Sequence, residues 1–362
     1  MVGAHSPNFS GFPDANARTT FSFSWGKLHQ SDSIHWENYY NHPSLGIAFF
    51  YSHLGSSILG HEFALVPNIT LNFSKKKQKS FYTKVGLGLG YATNPFDSIG
   101  NPGNEILGAH WNWVFQLFAY RTLLLNNRWH VKLGVGFLHS SNSHTELPNF
   151  GLNSFMGSLS FQRYARSIRT QTAERELFLP NRDKIYFWQV VTGIGLHELG
   201  GTRRPINGPD KVIPSISITG GIVFKQHFKT RFGLSYRYYD SFRDDIVNNE
   251  LPQFQDRPVW NASHLFVTVG GEYLVGHIGL DLEVGITLHK PYFNYWFDRN
   301  EEDGRFARWQ NKTFATRLGG NFYLRNTNKN PASNVFVGLH VNANWGTADF
   351  MSYALGYTRR IR

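Results

Sequence analysis

The chain has 362 residues, 16% of them aromatic, with 35 glycines, no cysteine and a formal charge of +11. The missing cysteine excludes a disulfide framework and thiol chemistry, and the lack of any apolar run of about 18 residues excludes a membrane-spanning helix. Positive charge favours anionic partners, but it is scattered over strand ends and turns ("KKKQK" at 75–79, Arg203–Arg204, Arg359–Arg360) and forms no nucleic-acid module, so nucleic acid is not expected as a partner.

The opening "MVGAHSPNFSGF" has neither a basic segment nor an apolar one of leader type. Either the protein is cytosolic or a leader has been removed. The weak "MVGAHSP" stretch is predicted as a first strand before "TTFSFSW", and period-2 alternation then dominates. "FYTKVGLGLGYA" sets Val85, Leu87, Leu89 and Tyr91 against Lys84, Gly86, Gly88 and Gly90. "WHVKLGVGFLHSSN" carries Val131, Leu133, Val135 and Phe137 on one face, with Lys132, Gly134 and Gly136 on the other. "TRFGLSYRYY" opposes Phe232, Leu234, Tyr236 and Tyr238 to Arg231, Gly233, Ser235 and Arg237. In "HIGLDLEVGITLH" every even position from Ile278 to Leu288 is apolar, against Gly279, Asp281, Glu283, Gly285 and Thr287. "NVFVGLHVNANW" repeats the pattern.

A soluble sandwich alternates too. Strands of about 10 to 14 residues, charges on the inward face and aromatics crowded at strand ends instead fit a tilted outer-membrane barrel with aromatic girdles. The fold class predicted is therefore all-β, an antiparallel transmembrane β-barrel of about 16 strands with 14 as the fallback. Connections alternate short and long, with exceptions at 28–43 and 165–183. The segment 166–184 is the clearest seam, between a half at 1–165 and additional strands at 184–362. With no Pro- or Ser-rich linker there, one continuous barrel over 1–362 is expected.

Continuing the period of the strand at 129–142 puts His139 and Ser141 on its apolar face, about 7 Å apart at their Cα atoms. Side chains at that spacing can hydrogen-bond. On a lipid-facing surface near the rim they would meet ester bonds, where His can take the proton of an attacking Ser if a third group orients the imidazole. His144, five residues after His139, lacks the companions of a metal site, and neither a metal nor a cofactor is expected. "DRNEEDGRF" at 298–306 does not have the spacing of a calcium loop.

His139-x-Ser141-Asn142 after a Gly-rich strand, followed by Leu147-Pro148-Asn149-x-Gly151-Leu152, resembles the PagL-type lipid A 3-O-deacylases. With "LGSSILGHEFALVP", "GLGLGYATNPFD" and the closing "ADFMSYALGYTRR", the chain over nearly its whole length resembles the acyloxyacyl hydrolase-like outer-membrane proteins of Bacteroidota. The resemblance implies an integral bacterial outer-membrane protein acting on lipid A or another glycolipid. It makes His139 the base, Ser141 the nucleophile and Asn142 part of the oxyanion hole, although strict alternation points Asn142 inward. Two positions depart from the family: Asn153 stands where it has Glu, and His144 where it has Gly. Asn can orient a His but lends the imidazolium no full charge. Glu146 is a nearby carboxylate that could serve from the loop. Three functions stay open: a lipid A deacylase using Ser141, His139 and Asn153; a silent barrel serving as scaffold or accessory subunit of an outer-membrane complex; and a pore, which Arg231, Arg237, Asp281 and Glu283 would line or plug.

Overall fold

A computed structural model describes residues 1–7, 9–28, 42–72, 81–125, 128–165, 184–200, 208–300, 304–345 and 347–361. The first eight strands are β1 (Val2–His5), β2 (Arg18–Leu28), β3 (Ser44–His53), β4 (His61–Asn72), β5 (Phe81–Ala92), β6 (Trp111–Leu125), β7 (Trp129–Ser141) and β8 (Leu152–Arg163). The second eight are β9 (Ile185–His197), β10 (Lys211–Phe224), β11 (Phe228–Tyr238), β12 (Ser263–Val275), β13 (Ile278–His289), β14 (Phe314–Tyr323), β15 (Ser333–Asn344) and β16 (Thr347–Arg360).

The sixteen strands expected are present, but they close into two antiparallel barrels of eight, which corrects the expectation of one continuous ring. The decisive pairings are long-range. β1 returns to β8 with Val2 opposite Gly157 and His5 opposite Ser154, and β16 returns to β9 with Ala354 opposite Gly193. Alternation and turn spacing are the same in a ring of eight and in an arc of sixteen, so only these pairings distinguish the two. The connection at 165–183, which broke the short–long alternation, is the link between the closed rings. That seam, "KKKQK" and Arg203–Arg204 lie almost wholly outside the described residues.

In the first barrel the exterior carries Phe21, Phe23, Trp25, Leu133, Val135 and Phe161, all exposed. The lumen holds Phe50, Val66, Val114, Phe118, Leu138 and Met156 around a buried Arg18–Glu62 ion pair. A ring of eight strands is just wide enough for side chains to fill. Gly136 shows how: a Cβ there would lie 2.3 Å from the Phe118 ring, so the small residues facing inward on β7 make room for the aromatics of β6.

The second barrel has the same exterior, with Ile218, Phe232, Leu282, Ile286, Leu288 and Leu355 exposed. Its lumen is ionic. Arg231 meets Asp281 at 2.6 Å and Glu283 at 2.9 Å, Arg317 meets the same two carboxylates at 3.3 and 2.8 Å, and Lys229 lies 3.3 Å from Glu272. Of the inward charges read from the sequence, Arg231, Asp281 and Glu283 therefore pair with one another, while Arg237 bonds the Asn342 amide oxygen and lies 3.9 Å from Asp349. Beyond the strand ends, α1 (Asp240–Asn248), α2 (Pro252–Gln255), α3 (Pro258–Asn261), α4 (Pro291–Asn300) and α5 (Arg305–Thr313) occupy long connections. Tyr239, Phe242, Ile246, Tyr292 and Phe297 join there in one buried apolar cluster.

Candidate active site

The site grows out of the β7–β8 register. His139 lies directly opposite Asn153 and Ser141 follows two residues later on β7, so all three side chains share the exterior face. The Nδ1 of His139 is 2.7 Å from the Oδ1 of Asn153, and its Nε2 is 3.0 Å from the Oγ of Ser141. With the amide oxygen accepting from Nδ1–H, the Nε2 lone pair is left to receive the hydroxyl proton. His139 is half-buried and Ser141 is 5% exposed.

The chain leaves β7 abruptly. Ser143 and His144 have φ of 56° and 70°, two successive non-glycine residues in the left-handed region that favours glycine. Alternation ends at this reversal, and Asn142, just past the last residue of β7, is buried with its N–H 3.3 Å from the Oδ1 of Asn149. Phe150 N–H and Gly151 N–H donate to the carbonyls of Glu105 and Ile106, so the β5–β6 connection supports the return to β8.

Gly151 is the residue whose role sequence reasoning missed, although it stands in the quoted motif. Its φ is +71°, and a Cβ on it would lie 2.9 Å from His139 Cε1 and 3.2 Å from Ser141 Cβ. Gly151→Val is expected to cost about 1–3 kcal/mol of backbone strain and to lower turnover by at least about 100-fold by displacing the imidazole. Steady-state kinetics alongside thermal unfolding checks both effects. Also missed were Phe137, whose ring stacks on His139 at 6.5 Å, and Phe155, whose ring lies 5.4 Å from Phe137. Their signal was simple, since both fall on the same exterior face as the site.

His144 and Glu146 are placed elsewhere. The segment Ser143–Leu147 belongs to the second compact unit, where His144 Nε2 lies 3.2 Å from the Gly200 carbonyl and the ring stacks on His197 at 5.5 Å. Burial lowers the pKa of His144 below the ordinary imidazole value, and the Gly200 hydrogen bond opposes the shift. Glu146 is exposed, and in the structure Asn153 holds the Nδ1 position for which Glu146 was an alternative. Among the described residues no three His, Cys, Asp or Glu side chains converge as a metal group.

The class the structure defines is an antiparallel eight-stranded β-barrel with a filled lumen, an apolar exterior and a Ser–His–Asn hydrogen-bonded series on that exterior. Residues 15–162 match the family model for lipid A 3-O-deacylase (PagL). The match takes in β2 to β7 and most of β8. No curated protein matches the chain. Solved structures with some likeness include an outer-membrane channel from Pseudomonas putida F1 (7% identity, 98% of this chain and 100% of that one, TM-score 0.19). Others are Pseudomonas putida OprB (8%, 99% and 91%, TM-score 0.16) and the Pseudomonas putida toluene transporter TodX (9%, 94% and 87%, TM-score 0.17). At these TM-scores the likenesses carry no argument about the arrangement of this chain.

Proposed function

We propose that the protein is an integral bacterial outer-membrane esterase that removes an acyl chain from lipid A with Ser141 as nucleophile and His139 as general base. The observation that carries the reading is the Asn153–His139–Ser141 series, with both imidazole nitrogens engaged on a lipid-facing strand surface. In the proposed reaction, Ser141 Oγ attacks the ester carbonyl as its proton passes to His139 Nε2. The tetrahedral oxyanion is held near Asn142 at the strand end. His139 then returns the proton to the departing sugar alkoxide, and water releases the fatty acid from Ser141 by the reverse sequence. Phe137 and Phe155 offer the acyl chain an apolar bed beside the imidazole.

Asn153 supplies orientation without charge. Its Oδ1 selects the Nδ1–H tautomer but stabilises the imidazolium less than a carboxylate would. Asn153→Asp, nearly isosteric, is expected to raise turnover by about 10- to 100-fold, less than the full contribution of a triad carboxylate because the tautomer is already correct. Kinetics on purified lipid A before and after the substitution measures it; an unchanged or lower rate would count against Asn153 as third member.

The test of the function is mass spectrometry of lipid A from membranes carrying the wild-type protein or Ser141→Ala at equal abundance. Loss of one acyl chain only with the wild type supports the reading, and identical lipid A in both sinks it. A second reading concerns the second barrel alone: its internally neutralised lumen favours a non-conducting scaffold or accessory body over a pore. Binding partners in the outer membrane are part of that reading.

A further inference from the structure

We infer that the turn-side half of the first barrel's lumen, at the end away from Ser141, is a binding site for a small phosphate-class anion held by Lys84, Lys132 and His130. The inference is independent of the deacylase reading. Lys84 on β5 is paired with the lumenal Phe118, and its ammonium reaches 3.1 Å to the Oγ of Ser24 on β2. Lys132 on β7 bonds the Oε1 of Gln162, and its Nζ lies 4.1 Å above the Tyr82 ring of β5. Both ammoniums thus enter the same lumen. Among the described residues neither makes an ion pair, and their partners are a hydroxyl, an amide and an aromatic face.

The rest of the molecule makes this unusual. Arg18 in the upper part of the same lumen is paired with Glu62, and Arg231, Arg317 and Lys229 in the second barrel have carboxylate partners; Lys290, bonded to the Asn344 amide and lying over the Phe293 ring, is the exception among those named. A cation inside a barrel wall bounded by apolar surface costs several kcal/mol unless a counter-charge accompanies it. Lys132 is such a buried cation, and with the partly exposed Lys84 it forms an electropositive cup that draws in an anion.

His130 is the second observation. It is 2% exposed, lies two residues before Lys132 on the same inward face, and neither ring nitrogen has a hydrogen-bond partner. A buried imidazole with no partner is expensive, and an oxyanion is the partner its N–H would take. The cup is wet: Ser22 and Ser24, on the inward face of β2, are exposed. Ammonium, imidazole and hydroxyl donors around one space suit a compact tetrahedral dianion with several acceptor oxygens.

The test is calorimetric titration of the purified full-length protein in neutral detergent with inorganic phosphate at constant ionic strength, chloride serving as the control anion. Glycerol 3-phosphate in a parallel arm separates a site for free phosphate from one for a phosphomonoester. Saturable phosphate binding, absent with chloride and weakened about tenfold or more in Lys132→Met and in Lys84→Met, is the expected result. Lys329→Met, remote in sequence on the second unit, is expected to bind as the wild type does. No saturable phosphate binding by the wild type, or unchanged affinity in both lumenal variants, would overturn the inference. The wild-type titration decides the matter even if a variant does not fold.

Discussion

Ser141→Ala is expected to lower the rate of fatty-acid release from purified lipid A by about 10,000- to 1,000,000-fold, with little change in KM or in thermal unfolding. The size follows from the chemistry: without the hydroxyl there is no acyl-enzyme, and His139 has no proton to take. What remains is the contribution of substrate binding and the oxyanion site to direct attack by water. The fold is expected to tolerate the change because Ser141 ends β7 and its hydroxyl bonds the imidazole of His139. His139→Ala is expected to lose about as much, and the double variant little more, since the two groups act as one unit. Single-turnover assays in mixed micelles, with denaturant unfolding as the control, measure all three. A Ser141→Ala protein that keeps more than about a tenth of the wild-type rate would remove Ser141 from the mechanism.

The second large effect falls on stability. Arg231→Met in the second barrel is expected to destabilise that barrel by about 3–5 kcal/mol, because it leaves Asp281 and Glu283, both buried, to share Arg317. The methionine stem fills much of the arginine's volume, so the loss reports charge and not a cavity. The guanidinium makes three hydrogen bonds to those carboxylates, from Nε to Glu283 at 3.2 Å and from Nη2 to both; without them Asp281 Oδ1 loses its donor and Glu283 Oε2 keeps only the bond from Arg317. Urea unfolding followed by heat-modifiable migration is the measurement. Equal midpoints for wild type and variant would show that water or Arg317 alone neutralises the pair.

Strand content and side-chain facing were legible in the sequence because a pleated strand has a strict period of two. Leu282, Ile286 and Leu288 are exposed while Asp281 and Glu283 are buried, and Val135 is exposed while Lys132 is buried, as alternation required. The pair His139 and Ser141 was legible for the same reason, being two residues apart on one face. Its third member was visible only through family resemblance, since Asn153 joins His139 by cross-strand register and not by spacing along the chain.

Local order, then, was determined by the sequence itself: sixteen strands, an apolar exterior, inward charges and a Ser–His pair at a rim. The tertiary structure alone decided how the strands close, because a strand's alternation says which way its side chains face and nothing about which distant edge completes its ladder. β1 meeting β8 and β16 meeting β9 make two filled barrels where one wide ring was expected. The same long-range closure decides which charges find partners: Arg231, Arg317, Asp281 and Glu283 in the second lumen neutralise one another, while Lys84 and Lys132 in the first meet no carboxylate among the described residues. The reversal at Ser143–His144 was likewise invisible locally, since left-handed backbone at a serine and a histidine is held by surrounding contacts and not by the propensity of either residue.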